Sequence, residues 1–192
     1  RRLERLDKVV IAAINGQAIS IGCELALACD VRYIADDARA IGLPEVTIGV
    51  LPGAGGAQRL ARAVGRAKAL ELVLEATLLT PEEALAVGLV HRVVPRARLL
   101  DEARETAHRL ARRAPLSVAA AKRAVLDGAS RPLPEGLALE RSWFMAALSR
   151  PAARRAMRRY LDDAARLGHA PWEDATARTA WQDGAVIDLL ED

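Results

Sequence analysis

The chain has 192 residues, a formal net charge of +3 and 52% apolar residues, which is enough for one packed domain or two small ones. Aromatic residues make up only 3%, which argues against a stacking platform for single-stranded nucleic acid. The basic residues are scattered among 25 acidic ones, so we expect no nucleic-acid partner. Two cysteines provide no disulfide framework, and the three histidines show no metal-ligand spacing.

The same features predict a cytoplasmic protein without a membrane span. Cysteines that form no disulfide framework fit a reducing compartment. The apolar run that begins at Val9 is interrupted by polar residues between positions 15 and 24, so it is unsuitable for crossing a bilayer. The chain begins with Arg1 and soon reaches a strong apolar strand, so we expect that an upstream part is missing.

The first 95 residues alternate between strand and helix patterns. A continuous apolar, β-branched run at 9–14 predicts a strand of the kind buried in sheets covered on both faces. Gly22 then opens a short helix over 23–29, and a second strand is predicted at 31–35. A strand, a helix and a strand in this order indicate an α/β layer.

A loop rich in glycine and proline is predicted over 42–56, followed by a helical period whose apolar face continues to Leu74. A helix is predicted to begin after Thr80, which serves as its N-cap. Pro81 occupies the first helical position, and Glu83 completes a capping box. A short strand follows at 91–94.

The second half of the chain reads as helical. Helices are predicted over 99–113, 117–127, 134–145 and 151–168, and the tail beyond has no clear period. We therefore predict an α/β core over residues 1–127 and a helical C-terminal extension over 128–192. The last of these helices carries a patch of four arginines: Arg154, Arg155, Arg158 and Arg159. We interpret this patch as a solvated helix face, and anion binding is the alternative.

Two glutamates are the first candidates for chemistry. Glu24 lies among apolar residues at the start of a predicted buried helix, where an unpaired carboxylate is costly. It is either a first-turn acid that favours the helix dipole or a carboxyl group tuned for proton transfer. Glu45 by itself reads as a surface residue. If both share a pocket, one acts as acid and the other as base, but their spacing alone does not show that they meet.

The glycine-rich segment at 52–56 is a second candidate. It lacks the Lys-Ser/Thr ending of a phosphate loop, and Gln58 stands where the dinucleotide fingerprint needs its last glycine. A turn that lets the backbone and a ligand approach each other closely is the better interpretation. Ser20 has no base near it in sequence, which disfavours a nucleophilic role.

Taken together, the motifs resemble the enoyl-CoA hydratase (crotonase) family. They occur in the family's order at residues 12–16, 22–30, 42–45, 49 and 51–60. The resemblance covers about residues 8–127 well and the following helices loosely. It implies the crotonase fold, a spiral of β-β-α units with a helical C-terminal region that builds trimers, often paired into hexamers. Measured against that fold, the N-terminal part is absent.

The resemblance also implies an activity. The substrate would be an acyl-CoA thioester, with no metal and no cofactor beyond the coenzyme A of the substrate. In hydratases of the family two glutamates hold the attacking water, and they match Glu24 and Glu45. Water then adds to C3 of a trans-2-enoyl-CoA and a proton goes to C2, which makes the enzyme a hydro-lyase. The matching oxyanion-hole donor is the Ile21 N–H, at a position where the family usually has glycine, and the substrate-binding positions are Gly22, Pro52 and Gly53.

Two alternatives stay open. The chain catalyses another reaction of the family, such as enoyl-CoA isomerisation, or it is a non-catalytic CoA-binding or oligomer subunit. Family members with other activities often lack one of the two carboxylates, so the presence of both favours the hydratase. The second alternative depends on the absent N-terminal part.

Overall fold

The computed structural model describes residues 2–187, which divide into two compact units. The first unit comprises the residues up to Arg5 together with Val10–Glu105, and the second comprises Leu6–Val9 together with the residues from Thr106 onward. The first unit is mixed α/β and carries both candidate glutamates. The second is helical.

The first unit begins with strands, and its elements follow in chain order. They are β1 (Ile11–Ile14), β2 (Ala18–Ile19), α1 (Ile21–Leu27), β3 (Val31–Ala35), β4 (Ile41–Gly42), a 3-10 turn (Glu45–Ile48), α2 (Gly56–Val64), α3 (Arg66–Leu74), β5 (Leu78–Leu79), α4 (Pro81–Ala86), β6 (Arg92–Val94), a second 3-10 turn (Arg96–Arg98) and the start of α5 (Leu99–Ala111).

Two small sheets organise this unit. In the first sheet β3 lies between β1 and β6, and all three strands are parallel, with Ile34 beside Ile14 and Ala35 beside Val94. The second sheet pairs β2 with β4 in parallel and β4 with β5 in antiparallel orientation. The predicted strands at β1, β3 and β6 are confirmed. However, β1 is half-buried rather than fully buried, because it lies at the edge of its sheet within the described residues.

The core of the first unit is built from aliphatic side chains. Besides Tyr33, its large buried members come from strands, helices and the connections between them: Ile34, Ile41, Leu43, Leu60, Leu72, Leu79, Leu89 and Leu99. Burying side chains of this size stabilises the unit by about 1.5–3 kcal/mol each relative to exposure. This core holds α1 and the segment after β4 in place, and these two elements carry the candidate carboxylates.

The helical segment after residue 56 differs from the prediction. One helix through Leu74 was expected, but Gly65 adopts a φ of +82° and separates α2 from α3, so that expectation is wrong. The start of α4 is confirmed in detail. The Thr80 hydroxyl accepts a hydrogen bond from the Glu83 N–H, and the Glu83 carboxylate accepts one from the Thr80 N–H at 2.8 Å.

The second unit contains the end of α5 and the helices α6 (Pro115–Gly128), α7 (Leu133–Leu148), α8 (Pro151–Leu167) and α9 (Ala175–Gln182). The last helix, α9, was not predicted from the sequence. Its start is capped by the Asp174 carboxylate, which accepts from the Ala177 N–H at 2.7 Å. The domain boundary predicted after residue 127 falls at the end of α6 and stays a prediction, since it followed the extent of the family resemblance.

The basic patch lies on α8. Its four arginines, with Pro151, Asp162 and Ile187, border an open cavity of about 440 Å³. Arg159 pairs with the buried Asp163, and Arg154 donates to the Ser149 carbonyl. Within residues 2–187, no helix is both long enough and apolar enough to cross a membrane.

Candidate active site

Glu24 lies on the inward face of α1. The helix begins at Ile21, directly after Ser20, which adopts a φ of +56° that is uncommon for a residue with a side chain. The short helix buries Cys23, Glu24, Ala26 and Leu27. Only 4% of Glu24 is exposed, so its carboxylate points into the unit rather than into solvent.

The backbone of the glycine-rich turn holds the Glu24 carboxylate. Its Oε1 accepts hydrogen bonds from the Ala54 N–H at 2.8 Å and from the Gly56 N–H at 2.7 Å. Gly55 provides the turn between these donors with a φ of +99°. A Cβ at Gly56 would lie 2.8 Å from the Cγ and Oε1 atoms of Glu24, so only glycine permits this approach. The glycine-rich segment therefore approaches a carboxylate of the protein itself.

Glu45 is the first residue of the 3-10 turn that follows Pro44. Only 7% of it is exposed, so it is not the surface residue that its position in a loop suggested. Its Oε2 atom is buried and has no hydrogen-bond partner among the described residues. A buried carboxylate oxygen without a partner is costly, and such groups concentrate at sites where a ligand supplies the missing hydrogen bond.

The two carboxylates lie near the same buried thiol. Burial, together with the negative charges of Glu45 and Glu24, raises the pKa of Cys23 to about 12. A Cβ added at Gly56 would lie 2.8 Å from the Glu24 carboxylate and 3.0 Å from the Leu43 side chain. Leu43 is two residues before Glu45. The structure therefore brings Glu24 and Glu45 into one region of the first unit, which the sequence spacing did not show.

The oxyanion-hole candidate lies at the start of the same helix. Ile21 is the first residue of α1, where the backbone N–H groups have no acceptor within the helix itself. The helix dipole makes this end favourable for negative charge. The Ile21 side chain is 70% exposed, so a β-branched residue fits here because it extends outward.

The remaining predicted positions are Gly22, Pro52 and Gly53. A Cβ at Gly22 would meet nothing within 4 Å, and one at Gly53 would meet only the Leu51 carbonyl at 4.0 Å. Pro52 is buried and Gly53 is exposed. Their roles in substrate binding stay predictions. Exposed apolar side chains belong to the same segments as the glutamates: Ile21, Leu25, Ile48, Val50 and Leu51.

One further contact to this turn was not predicted from the sequence. Arg59 donates to the Ala54 carbonyl from Nη1 at 2.8 Å and makes a two-pronged ion pair with Glu4, with distances of 2.6 and 2.8 Å. Hydrogen bonding to the Arg59 guanidinium holds the pKa of Glu4 below its ordinary value. The only sequence signal was that Arg59 follows Gly55 by one helical turn, which places its side chain over the turn.

Comparison with known proteins points to the same family that the sequence motifs resemble. A family model described as enoyl-CoA hydratase/isomerase matches residues 1–174. The chain is 46% identical over 143 residues to the 2,3-dehydroadipyl-CoA hydratase of Escherichia coli, covering 74% of this chain and 56% of the relative. It is 40% identical over 162 residues to the short-chain-enoyl-CoA hydratase of Clostridium acetobutylicum, covering 84% and 62%.

Solved structures agree. The enoyl-CoA hydratase from Bacillus anthracis superimposes with a TM-score of 0.80 at 37% identity, covering 84% of this chain and 62% of that one. The chain thus spans about three-fifths of the length of the proteins that it matches. The predicted fold class, mixed α/β with a helical C-terminal region, is confirmed. Matched over most of its length in both sequence and fold, the chain belongs to the enoyl-CoA hydratase/isomerase (crotonase) family.

Proposed function

We propose that this protein is an enoyl-CoA hydratase that adds water across the double bond of a trans-2-enoyl-CoA, with Glu24 and Glu45 as its acid/base pair. The observation that carries the proposal is the buried, unpartnered Oε2 of Glu45 in the same region as the Glu24 carboxylate. The hydratase names of the relatives support the reaction class. The reaction, its substrate and its partners are all part of the proposal, since the chain spans only part of those proteins.

The two carboxylates have different surroundings, which suggests a division of roles. Glu24 accepts two backbone N–H bonds on one oxygen, an arrangement that suits the ionised form. Glu24 therefore takes a proton from water as the water oxygen bonds to C3. The π electrons move toward C2 and the thioester oxygen, and Glu45 delivers a proton to C2. In this scheme Glu45 begins the cycle with that proton, and its buried Oε2 has no partner among the described residues that would compete with the substrate.

The Ile21 N–H is one donor for the negative charge that develops on the thioester oxygen. A preorganised backbone donor of this kind stabilises a transition state by about 3–4 kcal/mol. Because the donor lies at the start of α1 and Glu24 lies one turn further along the same helix, one element positions both groups. The exposed apolar side chains beside the site suit an acyl chain.

The proposal extends to the partners, and family membership supports it. The substrate is an acyl-CoA thioester, and coenzyme A enters as part of it without a separate cofactor. Substrate-binding positions are Gly22, Pro52 and Gly53. Assembly into a homotrimer or hexamer, a cytoplasmic location and a role in fatty-acid β-oxidation belong to the same proposal.

Isomerisation of the double bond is the second candidate. Isomerisation is favoured by the two backbone hydrogen bonds to one oxygen of Glu24, because this arrangement also suits a carboxylate with a purely structural role. In that case Glu45 alone moves a proton between C4 and C2 of a 3-enoyl-CoA. This route needs one carboxylate, whereas hydration needs both.

The test measures the turnover of two substrates by the purified chain. Crotonyl-CoA reports hydration by loss of the enone absorbance, and 3-hexenoyl-CoA reports isomerisation by gain of the same absorbance. The proposal predicts turnover of crotonyl-CoA that is lost in both Glu24→Gln and Glu45→Gln. Turnover of 3-hexenoyl-CoA alone, retained in Glu24→Gln, would establish the isomerase instead. Binding of the CoA ester without turnover of either substrate would indicate a non-catalytic subunit.

A further inference from the structure

One side chain connects the turn that holds Glu24 to the first residues of the chain. The Arg59 guanidinium donates two hydrogen bonds to the Glu4 carboxylate and a third to the Ala54 carbonyl. Ala54 is the residue whose own N–H donates to Glu24. The peptide group before Ala54 thus donates to Glu24, and the peptide group after Ala54 accepts from Arg59. A shift of the guanidinium would therefore rotate the turn.

Packing makes this connection tight. A Cβ at Gly55 would lie 2.5 Å from Nη1 of Arg59, and a Cβ at Gly56 would lie 2.8 Å from the Glu24 carboxylate. The turn is therefore enclosed by the guanidinium on one side and the carboxylate on the other. A planar, rigid guanidinium suits this position, since a lysine ammonium cannot form three hydrogen bonds in one fixed plane.

The contribution of Arg59 is one of position more than of charge. Hydrogen bonding to Glu4 raises the pKa of Arg59, and the charge of Glu24 adds to this. The two-pronged ion pair with Glu4 already balances the cation. The net field that reaches Glu24 from this pair is accordingly smaller than that of an isolated arginine.

We propose that Arg59, held in place by Glu4, is a positioning residue that aims the N–H groups of Ala54 and Gly56 at the Glu24 carboxylate. Its effect on turnover rests on the proposed function, but its effect on the turn does not. Arg59 touches no reacting atom and acts through the turn. Loss of Arg59 loosens the two hydrogen bonds to Glu24, and the misaligned base lowers the rate of the chemical step while substrate affinity changes little.

The test compares Arg59→Gln, Arg59→Lys and Glu4→Gln with a matched control, Arg62→Gln. Arg62 lies on the same helix and bonds only Gln58 among the described residues, so its loss leaves the turn intact. The first readout is hydrogen exchange at the amides of Ala54 and Gly56 in the free protein. The second is kcat and KM for crotonyl-CoA.

In Arg59→Gln we expect exchange at both amides to be about tenfold faster, because the local opening of the turn costs less free energy. We expect kcat to fall about 10- to 100-fold with KM within about twofold of the wild type, as for a misplaced catalytic group. Arg59→Lys keeps the charge and recovers only part of either effect, and Glu4→Gln shows a smaller loss. If Arg59→Gln fails to fold, Arg59→Lys and Glu4→Gln decide the question.

Unchanged exchange at Ala54 and Gly56 in the Arg59 variants would overturn the proposal, as would equal losses in Arg62→Gln. Full recovery by Arg59→Lys would also overturn it, since charge alone would then suffice. Faster exchange in a protein whose wild type lacks hydratase activity would support the positioning role of Arg59 and reject the proposed function. The two proposals can therefore fail separately.

Discussion

The Gly56 N–H donates to the Glu24 carboxylate at 2.7 Å, at a point where any Cβ on residue 56 would lie 2.8 Å from the same oxygen. The hydrogen bond and the missing side chain are two aspects of one requirement. A turn 32 residues along the chain approaches a buried carboxylate closely enough to orient it, and glycine is the residue that allows this.

Gly56→Ala tests this requirement. The added methyl group collides with Glu24 and Leu43, so we expect a loss of stability of about 1–3 kcal/mol from overpacking. We also expect a fall in crotonyl-CoA turnover, because Glu24 is displaced. The control is Gly16→Ala, where a new Cβ meets nothing within 4 Å. Denaturant unfolding measures the first effect, and equal stability of both variants would contradict the packing argument.

The buried thiol beside the carboxylates gives a second prediction. Burial and the two negative charges raise the pKa of Cys23 to about 12, so at pH 8 it is a neutral thiol that no reagent reaches. Cys29 is only half-buried. We expect iodoacetamide to modify Cys29 in the folded protein while Cys23 reacts only after unfolding, as measured by peptide mass spectrometry. Labelling of Cys23 first would show that the region around the carboxylates is open.

The Glu4–Arg59 ion pair gives a prediction about acid stability. The folded-state pKa of Glu4 lies below its ordinary value of 4.5, chiefly through its hydrogen bond to Arg59. The stabilisation is therefore complete above about pH 4.5 and is lost as the pH falls through the lowered folded value. A partly exposed pair of this kind contributes about 0.5–1 kcal/mol. Glu4→Gln should lower stability at pH 7 by this amount and by less at pH 3, as measured by urea unfolding.

The control for acid stability is Glu71→Gln, which removes an exposed ion pair with Lys68. Its side chain is more than half exposed, so we expect little change at either pH. A loss in Glu4→Gln that is the same at pH 3 and pH 7 would contradict the role of the charged pair.

Local signals in the sequence predicted the fold well wherever neighbours in the chain decide the structure. The capping box at Thr80 and the apolar, β-branched run at 9–14 that forms β1 are examples, since both depend on a few adjacent residues. The break at Gly65 was missed because apolar positions on both sides keep the same helical face. The helix α9 was missed because its one aromatic residue, Trp181, packs against Tyr160 of α8, a contact that periodicity does not show.

The candidate site was predictable only in part. Motif resemblance identified Glu24 and Glu45, but their approach depends on how the core places α1 against the segment after β4. The contact of Glu4 with Arg59 joins residues 55 positions apart and leaves no local pattern. The backbone donors at Ala54 and Gly56 carry no side-chain signature at all, so only the folded structure shows them.

The most direct test of the account is the kcat for crotonyl-CoA hydration in Glu24→Gln and Glu45→Gln, measured beside Glu82→Gln as an exposed control. If Glu24 activates the water and Glu45 protonates C2, each of the first two variants loses activity by at least about 100-fold, while the control keeps it. Activity within about twofold of the wild type in either Glu24→Gln or Glu45→Gln would contradict the central claim.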